Sequence, residues 1–68
     1  SKLREKRKEI SEAEAVPVYA VLTNEQLAAI AQKMPQSLAE LLAIEGIGEG
    51  KAKRYGETFL AVVAEMTP

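Results

Sequence analysis

The stretch LLAIEGIGEGKAKRYG, residues 41 to 56, holds all four glycines of the chain within sixteen residues, between two runs with helical spacing. Glycine inside a helix costs roughly 0.5–1 kcal/mol relative to alanine, so such a cluster marks a place where the backbone turns sharply or approaches a ligand. As a pattern, Ile44, Gly46, Ile47, Gly48, Ala52 and Tyr55 read apolar-x-Gly-apolar-Gly-x-x-x-Ala-x-x-apolar. Ile44 and Ile47 are spaced to anchor a hairpin in a core, while Gly46 and Gly48 let the chain turn. The helix that follows then starts with free backbone N–H groups at the positive end of its dipole, a ready anion site. Lys51 and Arg54 stand in that helix, and phosphate is the anion that suits them best. The plainer alternative is a compact helix–helix connection, with Gly46 as a cap and Gly48 allowing close packing.

Working outward, the apolar residues mark the helices. Residues 2 to about 15 predict a first helix with Leu3, Ile10 and Ala13 on its apolar side. Arg7 falls between Leu3 and Ile10, so its stem is expected to cover apolar surface while the guanidinium reaches water. Pro17 ends that helix, and VPVYAVL is expected to be an apolar, non-helical connection pressed onto the core, because a lone strand would have no partner. Thr23 or Asn24 caps a second helix whose Leu27, Ile30, Ala31 and Met34 recur at i, i+3, i+4 and i+7, and Pro35 ends it. Ser37 and Glu40 form the S-x-x-E start of a third helix, which presents Leu38, Leu41 and Leu42 inward. A fourth, over about 49 to 55, turns Ala52 and Tyr55 inward and ends at Gly56 as a left-handed cap. Phe59, Val62, Val63 and Met66 complete a fifth.

Composition narrows the chemistry. With 68 residues the chain has room for one domain, of a size that buries only about 60% of the surface its unfolded form exposes. It contains no Cys, His, Asp or Trp, which excludes disulfides, Cys/His zinc sites and a Ser/His/Asp triad. Its ten glutamates are scattered or lie in the charged first helix, and read as solvated surface. No catalytic residue, metal or cofactor is therefore expected. The longest apolar run, FLAVVA at 59 to 64, is far short of the roughly 20 residues of a membrane span, and no signal-peptide pattern is present. These features predict an intracellular chain without a membrane partner. The net charge of −1 conceals a polarity: residues 1 to 9 carry five cations and two acids, the other 59 four cations and eight acids. Three of those four cations, Lys51, Lys53 and Arg54, follow the glycine cluster.

The glycine pattern resembles the helix-hairpin-helix motif of many non-specific DNA-binding proteins. Its flanks are more specific. A basic first helix, the VPVY loop, TN before QLAAIA, a proline and serine before SLAELLAI, the GIG hairpin and the KAKRYG segment together resemble the HRDC domain, the helicase and RNase D C-terminal module, over about 55 to 65 residues. That resemblance implies an all-α, five-helix globule spanning residues 1–68 as a single domain. It also implies an auxiliary nucleic-acid-binding role, most often in RecQ-type DNA helicases, in a bacterial cytoplasm at the nucleoid or in a nucleus.

On this reading Gly46 and Gly48 shape the hairpin, Lys51 and Arg54 meet phosphate, and Arg4 and Lys8 form a flanking basic patch. Tyr19 either stacks on an unpaired base or packs over the first helix; its match to the tyrosine of the family loop favours stacking. The expected partner is DNA, single-stranded or partly duplex, bound weakly and without sequence preference by a monomer, with other domains of the parent helicase as further partners. The alternatives are a docking module that uses the acidic remainder of the surface, and an RNA-binding accessory of an RNase D-type exonuclease.

Overall fold

The computed structural model describes residues 1–67. Five helices follow one another: α1 (Lys2–Glu14), α2 (Val18–Val21), α3 (Asn24–Lys33), α4 (Leu38–Leu42) and α5 (Glu49–Met66). No strand occurs among the described residues. The count agrees with the sequence expectation, but two of the helices are divided differently.

The first difference lies after Pro17. Val18–Val21 close one helical turn, with Ala20 N–H donating to Pro17 O at 3.0 Å and Leu22 N–H to Val18 O at 3.2 Å. Val21 is fully buried and Leu22 nearly so, and backbone polar groups beneath the core need partners. An extended segment without a neighbouring strand could not supply them, whereas a turn satisfies them internally. The second difference is at Gly56, which stands inside α5 rather than capping a shorter helix. The buried residues Ala52, Tyr55, Gly56, Phe59, Val62 and Val63 keep one helical phase throughout, so the helix has no reason to break. Gly56 serves close approach instead: a Cβ there would lie 2.7 Å from Leu38 Cδ2 and 3.4 Å from Leu41 Cδ2. Helix α4 crosses α5 at this point.

The caps are local chemistry. Thr23 and Gln26 form a complete capping box on α3: Gln26 N–H donates to Thr23 Oγ1 at 3.1 Å, and Thr23 N–H to Gln26 Oε1 at 2.9 Å. Ser37 Oγ accepts from Glu40 N–H at 3.2 Å, but the Glu40 carboxylate accepts from Gln36 N–H rather than from Ser37. Ala15 and Met34, both in the left-handed region at φ 55° and 48°, end α1 and α3.

Helix α1 packs on α2 and α5, α4 packs on α5, and α1 touches α3 more lightly. The core consists of Leu3, Val21, Leu22, Leu27, Ile30, Leu41, Ile44, Ile47 and the inner stripe of α5, with Phe59 at 1% exposure among its most enclosed side chains. Leu38 and Leu42 are exposed, so α4 buries only Leu41 of its three leucines. Leu41 takes the centre of the contact with α5, and Leu38, whose Cδ2 still lies over Gly56, sits at its edge. Ala13 is also exposed; Ser11 takes its place on the buried side of α1, its hydroxyl donating to Val16 O at 2.7 Å.

Arg7 departs furthest from expectation. Only 7% exposed, it lies beneath α2 with its guanidinium turned inward, and Nη1 donates to Leu22 O at 2.9 Å. Its Nε is buried without a partner. The one-turn shape of α2 brings the Leu22 carbonyl within reach, and the charge is held by that bond instead of by water.

Candidate nucleic-acid interface

The hairpin joins α4 to α5. Ile44 and Ile47, at 2% and 5% exposure, seat it in the core as their spacing required, and Ile47 N–H donates to Ile44 O at 3.2 Å. Between them Gly46 has φ +90°, a conformation that L side chains rarely adopt. A Cβ on Gly46 would stand 2.7 Å from Gln26 Nε2, so the hairpin also presses directly on α3. Gly48 differs. Its φ of −87° is ordinary and a Cβ there would meet nothing within 4 Å, so its place as the N-cap of α5 does not require glycine.

With Gly48 at the N-cap, no side chain caps α5, and the N–H groups of its first turn are left unmatched by the protein. Lys51 lies in that turn. It is half-buried, its stem lining the seam between Leu22, Ile47 and Tyr55, and its ammonium stands 3.5 Å from Gln26 Oε1. Gln26, itself 8% exposed, therefore meets the α3 cap, the hairpin and Lys51 at once. The T-x-x-Q spacing of the capping box was the sequence signal for it.

Arg54, one turn further along α5, is exposed but engaged. Its Nη2 lies 3.3 Å from Glu14 Oε1, at the end of α1, and its guanidinium carbon is 5.5 Å from the centre of the Tyr55 ring. The same Glu14 oxygen accepts from the Tyr55 hydroxyl at 2.7 Å. That bond, with partial burial and the Glu14 charge adding and Arg54 opposing, holds the Tyr55 pKa above its ordinary 10.0. Nothing in the sequence pointed to Glu14, forty positions from Arg54.

Arg4 and Lys8 are both exposed on one flank of α1, four residues apart. Arg4 borders a groove with Asn24, Leu27, Ala28 and Ala31, whereas Gly46 borders another with Gln26, Ala29 and Lys33. Those residues alternate around α3, so that helix stands between Arg4 and the hairpin. The second groove, about 450 Å³, also carries Glu25 and Glu45. Tyr19 projects from α2 with 67% of its surface exposed, and its hydroxyl makes no hydrogen bond among the described residues. The hairpin residues and Lys51 thus form one contiguous surface, Arg54 is held aside by Glu14, and Arg4 and Lys8 occupy a separate face.

The five helices and the glycine hairpin define a small all-α domain, and comparison with known proteins gives its family. The HRDC domain model matches residues 1–63, and the chain belongs to that family. It is 40% identical over 65 residues to the ATP-dependent DNA helicase RecQ of Haemophilus influenzae, covering 96% of this chain and 10% of the helicase. The RecQ helicase of Bacillus subtilis is 41% identical over 59 residues, covering 87% and 10%. The ATP-dependent DNA helicase UvrD2 of Mycobacterium bovis is 44% identical over 52 residues, covering 76% and 7%. The chain spans about a tenth of the length of the RecQ relatives it matches.

Proposed function

We propose that this chain is an auxiliary nucleic-acid-binding domain of a RecQ-type DNA helicase. On this reading residues 1–68 act as one domain without catalysis of their own. They hold single-stranded or partly duplex DNA by its phosphates, weakly and without sequence preference, in the cytoplasm at a nucleoid or in a nucleus. The observation that carries the reading is the uncapped N-terminus of α5 with Lys51 in its first turn, where unmatched N–H groups, the helix dipole and an ammonium converge. Arg4 and Lys8 offer a second run of phosphate contacts along α1, and the exposed ring of Tyr19 offers a face for an unpaired base. The acids beside the hairpin, Glu25, Glu45 and Glu49, limit the affinity and are why we place it in the micromolar range or weaker.

Fluorescence anisotropy of a labelled single strand across a salt series tests this. With about three phosphates neutralised, log K against log salt should have a slope near −2, at roughly −0.7 per contact. Lys51→Met keeps the stem that covers the core, and should weaken binding and make the slope shallower by about 0.7. The second reading, a docking module for a basic domain of the parent enzyme, is favoured by the acidic remainder of the surface. Absence of binding at low salt would support it. A matched RNA strand in the same titration decides between DNA and RNA.

A further inference from the structure

We propose that Glu14 sets the nucleic-acid affinity of this domain by occupying Arg54 in the free protein. This rests on the phosphate-binding reading of α5. Arg54 is the only α5 cation held in an ion pair among the described residues, and the pair ties α5 to the far end of α1. Its carboxylate partner is unusually well fixed for a surface group. Glu14 Oε1 accepts from both the Arg54 guanidinium and the Tyr55 hydroxyl, the Glu14 side chain is one-third exposed, and the Tyr55 ring is anchored in the core. An exposed pair between two free side chains rearranges at little cost, but here one partner is already immobilised, so less entropy is lost in holding the other. A DNA phosphate that reaches Arg54 must displace this carboxylate or approach within a few ångströms of it. Either way the pair opposes binding. Lys51, whose neighbour is the neutral Gln26, meets no such competitor.

Replacing the carboxylate by an amide removes the competitor and keeps the architecture, because the carbonyl oxygen of a glutamine still accepts from Tyr55. Glu14→Gln is therefore expected to fold as the parent does, and to bind a labelled single strand about two- to fivefold more tightly at low salt, the range spanned by an exposed ion pair. The salt slope should steepen by about 0.7, the mark of one additional phosphate. Glu12→Gln is the control for charge alone, since Glu12 is exposed and makes no ion pair among the described residues. It should raise affinity less and leave the slope unchanged. Arg54→Ala alone should cost little, and in the Arg54→Ala background the gain from Glu14→Gln should fall to that of Glu12→Gln, a coupling that a double-mutant cycle reads directly.

If Glu14→Gln and Glu12→Gln match in affinity and slope, or if the Glu14→Gln gain survives intact without Arg54, Glu14 acts only as bulk charge and the inference is wrong while the phosphate reading stands. If parent and variants alike fail to bind at low salt, the phosphate reading itself fails and takes this inference with it.

Discussion

The guanidinium of Arg7 donates a 2.9 Å hydrogen bond to the carbonyl of Leu22, the buried residue that ends α2. This bond fixes the single helical turn between α1 and α3, and it removes one of the five cations of the N-terminal segment from the surface. Arg7→Met retains the packing of the stem but leaves the Leu22 carbonyl unpaired. We expect a loss of about 1–3 kcal/mol. At roughly 4–8 °C per kcal/mol for a domain of this size, calorimetry would resolve it. An unchanged melting temperature would mean that Arg7 contributes only its stem.

The two hairpin glycines should separate cleanly. Gly46→Ala forces an L side chain to φ +90° and places its Cβ against Gln26 Nε2, at a cost of about 1–2 kcal/mol for the backbone alone. Gly48→Ser has open space and an ordinary φ, and adds a hydroxyl at an N-cap, so stability should hold or rise by a few tenths of a kcal/mol. Chemical denaturation of the two variants checks the contrast. Equal losses would show that both positions bend the chain in the same way.

Tyr55 makes stability depend on alkaline pH. The hydrogen bond to Glu14 favours the neutral hydroxyl and raises its folded pKa above 10.0. That contribution is fully present below the unfolded pKa and is lost as pH rises through the folded one, because the folded form then binds the proton more tightly than the unfolded. Tyr55→Phe should be less stable than the parent at neutral pH, and the gap should narrow above pH about 10. Melting temperatures measured at successive pH values would show it; a constant gap would mean that the hydroxyl contributes nothing.

Tyr19 projects from α2 with two-thirds of its surface in water, so little burial is lost when the ring is removed. Tyr19→Ala should leave the melting temperature nearly unchanged yet lose on the order of 1–3 kcal/mol of single-strand binding, and Tyr19→Phe should keep most of it. A melting temperature that falls with Tyr19→Ala, with affinity intact where the domain is folded, would assign the ring to packing.

What the sequence by itself determined is local. The start of α3 at Thr23, the stop before Pro35, the serine cap at Ser37 and the burial of Ile44 and Ile47 all follow from hydrogen bonds or apolar spacing within a few residues. The division at Gly56 is misread locally: the glycine looks like the cap of a short helix, whereas it stands inside one long α5 for contact with Leu38 and Leu41, eighteen and fifteen positions away. Tertiary structure alone decided the rest. It turned Arg7 inward toward Leu22, set Gln26 against Gly46, and joined Glu14 to Arg54 and Tyr55. These are meetings of groups fifteen to forty-one residues apart, and the distance between such groups is fixed by how whole helices pack, which no local spacing encodes.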